Sequence, residues 1–455
     1  MTFSGRKATL LLFFGDLAVF ALSLWLTLFL RYGGAPQKLI GLYVEPFAIL
    51  FLLWTLVFYM AGLYSKQVVR LKSELWAAIL RTQLLNIVLA ALFFFLIPQA
   101  GITPKTTLAI YLAVSLVGIF FWRLGLYSRL SRPSTRVKAA LVGSGSESEE
   151  LVDEVNANPR YPFIFVVGAS AEQLKNDFGA FARSLEEQKV SLLVIDAEHD
   201  IVRPLLPQIY RLAFGARAYQ FADFYKVYEE VFDRVPLSIL RYDWFLKNVA
   251  HSSGGGYEFF KRAVDLVGGV LMGALTAVLI PFVWVGQHLE GKGPLFLRQV
   301  RIGQNGKRMT AYKFRTMLYD DSASSEWVVE GKTNRVTRLG AFLRRSSLDE
   351  FPQFINILRG ELSLIGPRND IAGLAERLAV EIPYYDVRYT VMPGITGWAQ
   401  INQRYEPGNI SPQSIEETKV RLAYDFYYIK NRSLALDLGV ALKTFKRMLF
   451  RVSAW

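Results

Sequence analysis

Four apolar runs lie within the first 130 residues: Leu10 to Leu30, Pro46 to Leu63, Leu75 to Ile97 and Leu108 to Leu126. Each is close to the ~20 residues that carry a helix across ~30 Å of hydrocarbon. Runs of this kind leave few options, because in lipid the backbone must satisfy its own polar groups and a helix does so within one segment. They predict four transmembrane helices in a first region, residues 1–135. A hydrophobic fraction of 52% over 455 residues agrees, being high for a soluble chain. The first run is too long for a signal sequence, and no small-residue cleavage site precedes Arg31 and Tyr32, so a retained anchor is expected. Arg6, Lys7, Lys66, Arg70, Lys72, Arg123, Arg129, Arg132, Arg136 and Lys138 fall on one side of such a bundle, against Arg31, Lys38 and Lys105 on the other. The positive-inside rule then places the amino terminus and everything after residue 130 in the cytoplasm. Asp16 lies inside the first span, where it serves either function or helix packing.

Beyond residue 135 the composition becomes that of a soluble domain. RVKAALVGSGSESEELVDEV reads as strand, Gly turn and helix, and FIFVVGA and VSLLVID read as further strands. A Rossmann-like α/β domain is expected over 136–250. Gly143 and Gly145 supply two glycines of a phosphate-binding turn, but Ser148 stands where the third belongs. Glu147, Glu149 and Glu150 crowd the helix start that would face a pyrophosphate, so the turn reads as degenerate.

A fifth apolar run, about Leu266 to Val285, follows the Gly254 to Gly256 linker. A full crossing would carry the strongly basic segment after it to the far side, and Pro281 interrupts the run. A re-entrant or interfacial helix over about 262–288 is the better expectation; a plain fifth span is the alternative.

The chain has no cysteine and only three scattered histidines, which excludes disulfides, thiolate nucleophiles and Cys-based zinc sites. Chemistry therefore falls to carboxylates and cations. Lys plus Arg number 52 against 39 Asp plus Glu, a balance that favours an anionic partner such as a phosphorylated substrate or lipid headgroups. RQVRIGQNGKRMTAYKFRTM concentrates cations around a Gly turn, and its alternation puts Lys313 and Arg315 on one side of a strand. GPR at Gly366 to Arg368 presents another guanidinium on a turn, and guanidinium groups fit phosphate oxygens bidentately.

Into this neighbourhood SSLDEFPQFINILRGELSLIGPRND brings adjacent carboxylates, Asp349 and Glu350. Ser347 and Glu350 match a capping box, yet with Ser347 as the cap Pro352 would fall inside the helix and break it. A start one to four residues later tolerates the proline and sets both carboxylates at or just before a helix amino terminus, which favours anions. Two carboxylates amid arginines fit phosphoryl chemistry in which one attacks phosphorus while the other holds a divalent cation. A hard ion such as Mg²⁺ would relieve the repulsion, bound by Glu350 and substrate phosphates while keeping several waters.

KRAVD, RQVRIGQNGKRMTAYKFRTM, LRRSSLDEFPQFINILRGELSLIGPR, VMPGITGWAQIN and YDFYYIKNRSLALDL, in this order and spacing, resemble the bacterial monotopic phosphoglycosyl transferases, the bacterial sugar transferases. The resemblance covers about 256–455, and the upstream regions look like the long members similar to undecaprenyl-phosphate glucose or galactose phosphotransferases. It implies a monotopic α/β catalytic domain on a re-entrant helix with amphipathic helices lying on the membrane. IEETKVRLAYDFYYIKNRSLALDLGVALKTFKRMLF is consistent with such surface helices, though a core helix would look similar.

The resemblance further implies a ping-pong reaction at the cytoplasmic face of the bacterial inner membrane. Asp349 would attack the sugar-bearing phosphate of a UDP-sugar, release UMP and pass the phosphosugar to undecaprenyl phosphate, opening polysaccharide assembly. Glu350 would hold Mg²⁺, Lys313, Arg315 and Arg368 would lie around phosphates, and Asp425 would be a second acidic residue of the site. UDP-glucose or UDP-galactose is the expected donor, with membrane lipids as surroundings and no nucleic-acid partner. The first two regions offer surface for a homodimer. The chain departs from the family's pattern twice. Ala277 and Val278 stand where a Ser-Pro usually bends the membrane helix, and the common PRP is here Pro367-Arg368-Asn369. The competing reading is a membrane-anchored nucleotide-sugar dehydratase or oxidoreductase using the Rossmann-like domain.

Overall fold

The computed structural model describes residues 5–33, 37–61, 63–64, 72–96, 105–130, 136–143, 145–158, 161–197, 199–213, 219–237, 240–249, 255–318, 336–405 and 411–451. The apolar runs become helices α1 (Gly5–Tyr32), α2 (Gln37–Met60), α3 (Lys72–Leu96) and α4 (Lys105–Leu130). They belong to a compact unit of residues 1–136 with 158–162; a second unit holds 137–157 and 163–455.

Within the first unit, apolar residues cover the outside of the helices and aromatic rings fill the inside, where Phe20, Phe47, Trp54 and Tyr111 meet at ring-packing distances. Asp16 is fully buried and pairs with the Arg123 guanidinium of α4, which also donates to the Leu63 carbonyl (2.7 Å). Asp16 is thus a packing residue: a charge in that setting persists only because its partner is held opposite it. Lys66, Arg70, Arg132 and their neighbours, on which the expected orientation rests, lie outside the described residues.

Among the described residues, Leu10–Tyr32, Gly41–Met60, Thr106–Arg123 and Gly255–Glu290 are long and apolar enough to cross a membrane, whereas the apolar part of α3, Ile79–Phe95, is shorter.

The second unit opens with β1 (Val137–Val142), α5 (Ser146–Ala157), β2 (Phe163–Ala169), α6 (Ala171–Asn176), α7 (Phe178–Glu187), β3 (Leu192–Ile195), α8 (Leu206–Ala213) and β4 (Gln220–Asp223). The strands form a parallel sheet in the order β2-β1-β3-β4, the three expected strands among them. Such a sheet is apolar on both faces, as the fully buried LLVI of β3 illustrates. At the β1–α5 turn Gly145 has φ +93°, which glycine accommodates without steric cost. Glu147 and Glu149 occupy the first turn of α5, while Glu150 pairs with Arg234 and accepts from the Tyr228 hydroxyl (2.8 Å).

Two short helices, α9 (Phe224–Phe232) and α10 (Tyr242–Asn248), connect this sheet to the rest of the unit and are built into its core. Val235, Leu240, Trp244 and Phe245 share one apolar cluster with Trp398, Leu422, Phe426 and Tyr428. The Val235 N–H donates to the Ala423 carbonyl (3.2 Å), Trp398 Nε1 donates to the Asp233 carbonyl (2.8 Å), and Lys430 pairs with Glu229 (2.7 Å).

The remaining elements are α11 (Gly255–Glu290), β5 (Phe296–Ile302), β6 (Arg308–Phe314), α12 (Arg338–Ser346), α13 (Phe354–Arg359), β7 (Ser363–Ile365), α14 (Ala372–Glu381), β8 (Gly394–Thr396), α15 (Trp398–Asn402), α16 (Ile415–Asn431) and α17 (Leu434–Arg451). β5 and β6 form an antiparallel hairpin, and β7 and β8 a short parallel pair.

α11 is one helix of 36 residues that continues through Pro281. Lys261, Asp265, Gly269, Thr276, Val283 and Gln287 are buried along one stripe, at the four- and seven-residue spacing of a single helix face. The other face exposes Val267, Val270, Val278, Phe282 and Leu289. Lys261 donates to the Ile365 carbonyl (2.9 Å) and pairs with Asp437 (2.9 Å), and the Asp265 carboxylate accepts from the Leu364 N–H (2.9 Å) and the Ser363 hydroxyl (3.0 Å). KRAVD is therefore the clasp between this helix and β7. α16 buries residues on most of its circumference and is a core helix, whereas α17 exposes Leu434, Leu438 and Phe445.

Candidate active site

β6 carries Lys313 on the hairpin and ends at Phe314. α12 stops at Ser347, which adopts the left-handed conformation (φ 58°) with no side-chain capping bond, so the capping box is not formed. A 3-10 helix, Leu348–Gln353, begins immediately after it, with Asp349 and Glu350 in its first turn and Pro352 buried inside; α13 then continues the chain. The start expected from Pro352 is not the one observed: the segment opens at Leu348 with Ser347 in the cap position, and Pro352 is accommodated as its fifth residue within a 3-10 rather than an α-helix, while both carboxylates still lie in the first turn.

Arg368 arrives by a second close approach. Gly366 donates to the Thr396 carbonyl (2.9 Å) and Gly394 donates to the Pro367 carbonyl (2.9 Å), so the IGPR and PGITG segments lie backbone against backbone. A side chain at Gly394 would collide with the Gly366 backbone, which fixes glycine there. The resulting turn aims Arg368 Nη2 at Glu350 Oε1 (2.6 Å), and Lys313 Nζ reaches the same oxygen from β6 (2.8 Å).

Glu350 is thus clamped by two cations. Burial pushes its carboxyl up, but Arg368 and Lys313 outweigh burial and hold it below the usual carboxylate range. Burial lowers the Lys313 ammonium, with Glu350 opposing the shift, and the Glu350 charge raises Arg368. Asp349 differs: burial and then the neighbouring Glu350 charge push its carboxyl up. It makes no hydrogen bond or ion pair among the described residues, and Glu350 Oε2 likewise accepts none. Three carboxylate oxygens are therefore uncommitted beside two cations. That donor set suits a hard ion that takes one or two carboxylates and completes its shell with water and phosphate.

Asp425 lies behind this centre. On α16 and almost fully buried, it pairs with Arg388 Nη2 (2.7 Å), and the same nitrogen donates to the Arg368 carbonyl (2.8 Å). Arg388 also pairs with Asp370, Arg421 bonds Asp370 Oδ1 (3.0 Å), and the Tyr385 hydroxyl donates to Asp370 Oδ2 (2.7 Å) while accepting from both guanidiniums. Burial raises the Asp425 carboxyl; for Asp370 burial is outweighed by Arg388 and Arg421, which hold it at about 2. Asp370, Arg388 and Arg421 were not singled out by sequence reading, and Arg301 stood out only as one of the cations around the Gly turn. The available signal was charged residues embedded among apolar and aromatic ones, as in YYDVRYT.

The expected residues Lys313, Asp349, Glu350 and Arg368 come together, and Asp425 joins them through Arg388. Arg315 does not join: it lies past the end of β6, and its guanidinium bonds the Pro294 (3.0 Å), Gly291 (3.0 Å) and Gln287 (3.3 Å) carbonyls. Those carbonyls include the end of α11, where backbone acceptors lack partners and the helix dipole favours a cation.

The profile of the family described as bacterial sugar transferase matches residues 256–451. The chain is 36% identical over 193 residues to the UDP-N-acetylgalactosamine-undecaprenyl-phosphate N-acetylgalactosaminephosphotransferase of Aeromonas hydrophila, covering 42% of this chain and 44% of that protein. It is also 36% identical over 195 residues to a UDP-glucose:undecaprenyl-phosphate glucose-1-phosphate transferase of Caulobacter vibrioides, covering 43% of this chain and 72% of the relative. With the uncharacterized sugar transferase EpsL of Bacillus subtilis it shares 37% identity over 189 residues, 42% of this chain and 87% of the relative. The match thus spans less than half the length of the Aeromonas protein and most of the Bacillus one. On the matched segment and the site it contains, the chain belongs to the bacterial sugar transferase family.

Proposed function

We propose that this protein transfers a sugar-1-phosphate from a UDP-sugar to undecaprenyl phosphate. The observation that carries the reading is the contrast between adjacent carboxylates: Glu350 is clamped by Lys313 and Arg368, while Asp349 is uncommitted with its carboxyl pushed up. A carboxylate of raised basicity is the better nucleophile. In the first step an Asp349 oxygen attacks the sugar-bearing phosphorus, the bond from that phosphorus to the bridging oxygen breaks, and UMP departs. In the second, an oxygen of undecaprenyl phosphate attacks the same phosphorus, the acyl phosphate bond breaks, and Asp349 is regenerated.

Lys313 and Arg368 orient the phosphates and balance their charge, and Arg388 fixes the Arg368 backbone. Mg²⁺, held by Glu350 with Asp349 alongside, would supply further neutralisation of the diphosphate. Relatives named for N-acetylgalactosamine, glucose and galactose transfer support the substrate class, and the donor here is one of this kind.

The protein resides in the bacterial inner membrane with this site on the cytoplasmic face. α11 enters and leaves the membrane on one side, since Lys261 near its start and Gln287 near its end grip the same body: Gln287 Nε2 donates to the Arg315 carbonyl (2.7 Å). Oxidoreductase chemistry at the Gly143 to Gly145 turn gains no support, because Glu147 and Glu149 stand in the helix turn that would meet a pyrophosphate. The test is UMP release from a panel of UDP-sugars by the lipid-embedded protein, with Mg²⁺, with and without undecaprenyl phosphate. Lipid-dependent UMP from one donor is expected; no UMP from any donor overturns the reading.

A further inference from the structure

Asn369, which follows Arg368, is about nine-tenths buried or more, with 5% of its surface exposed. Arg301, also buried, donates through Nη1 to both the Asn369 carbonyl (2.8 Å) and Asn369 Oδ1 (2.9 Å), and through Nη2 to Gln299 Oε1 (3.0 Å). A guanidinium only donates, so the oxygen of the Asn369 amide must face Arg301 and the orientation of the amide is determined by chemistry. Nδ2 is consequently turned away from Arg301, and it has no partner among the described residues.

A buried amide donor without an acceptor keeps the full cost of its desolvation, which a structure tolerates where a ligand supplies the acceptor. The surroundings identify that acceptor. Asn369 follows Arg368, whose Nη2 lies 2.6 Å from Glu350 Oε1, and Arg301 holds the Asn369 carbonyl, so the Arg301 and Asn369 pair borders the Glu350 centre. Asp370 beside them is already paired with Arg388 and Arg421, which leaves Lys313, Arg368 and Arg301 against Asp349 and Glu350, a balance that favours an anionic oxygen.

We propose that Asn369 Nδ2 donates a hydrogen bond to a phosphate oxygen of bound substrate, with Arg301 as the positioning residue that holds the amide in the donating orientation. The inference deepens the transferase reading by adding a substrate contact. The oxygen belongs to the nucleotide diphosphate or to the lipid phosphate, and the two are separable.

The test compares the full chain in lipid nanodiscs with Asn369→Asp, which keeps an acceptor for Arg301 but removes the donor, and with Asn369→Ala. Binding of inorganic pyrophosphate is followed by thermal protection, alongside KM for UDP-sugar and for undecaprenyl phosphate. Pyrophosphate binding weakened about tenfold or more in both variants is expected, the loss of one bond to a charged acceptor. A rise in KM for only one substrate then identifies whose oxygen it is. Unchanged pyrophosphate binding in Asn369→Asp, or no binding by the wild type, overturns the proposal. Wild-type protein that binds pyrophosphate through Asn369 yet releases no UMP would leave the contact standing and remove the transferase reading. Asn369→Ala that melts earlier with unchanged ligand affinity would make the residue purely structural.

Discussion

Two clusters of buried charge lie side by side in the second unit, and they are built to opposite specifications. Around Asp370 and Asp425, two carboxylates meet two guanidiniums and a tyrosine hydroxyl, and each carboxylate has a cationic partner. Around Glu350, two cations converge on one carboxylate oxygen, and the neighbouring Asp349 is left with none. The first arrangement holds a backbone in place, that of Arg368 through Arg388. The second has capacity to spare. The first cluster is the more deeply buried and Asp349 is only partly covered, and the balance of partners further separates a structural charge from a reacting one.

Substitutions should divide along that line. Asp349→Asn should abolish transfer, by about 1,000-fold or more in turnover, while the melting temperature stays the same or rises, because a buried charge with no ion-pair partner has been removed. Product formation and thermal unfolding of the same sample check it; retained turnover would remove Asp349 as nucleophile. Asp370→Asn should do the reverse. Leaving Arg388 and Arg421 buried without their carboxylate should cost about 3–5 kcal/mol by denaturant unfolding, with turnover per folded molecule reduced far less.

Acid should separate the clusters in the same order. The Asp349 carboxyl is pushed up, so its protonation and the loss of activity begin above the ordinary carboxylate range. That protonation discharges a buried group and does not destabilise the fold. Asp370 is held at about 2, below the ordinary 3.8. Its contribution to stability is complete above 3.8 and is lost as pH falls toward 2, on the order of 2 kcal/mol. Activity should therefore vanish at a pH where circular dichroism still reports a folded protein; simultaneous loss would deny the distinction.

The smallest effect should come from the two arginines once expected to act alike. Arg368→Lys should raise KM for the donor about tenfold, because a point charge cannot reproduce the guanidinium's geometry. Arg315→Lys should leave KM unchanged and lower stability by about 1 kcal/mol, through weaker bonding to the α11 carbonyls. Equal KM effects would return Arg315 to the site.

Much of this was legible in the sequence because it depends on local rules. Apolar length located the helices, and strand, Gly turn and helix followed in order from residue 137, whereas Pro352 pointed to a later start for the turn bearing Asp349 and Glu350 than the 3-10 helix that accommodates it. Alternation failed at Arg315 because β6 ends one residue earlier and the side chain then answers to a helix end 28 residues upstream in sequence. Arg388 and Arg421 were invisible for a similar reason: each finds its carboxylate through tertiary packing, which no spacing encodes. α16 mixes aromatic, aliphatic and basic residues as a membrane-surface helix would, but its charged residues Arg421 and Asp425 have buried partners, and so it lies in the core.

The stretch from α9 through α10 has a consequence for how such proteins are divided and recombined. The stretch shared with other sugar transferases begins at residue 256, yet Val235, Trp244 and Phe245 fill the core beneath α16, and Val235 is hydrogen-bonded to Ala423, two positions before Asp425. Homology and mechanical integrity therefore draw different borders. A chimaera joined at residue 255 would inherit every group of the Glu350 centre and lose the wedge that supports the helix behind it. One joined before Phe224 would carry both, and in this protein the unit that can be exchanged is longer than the unit that is recognisable.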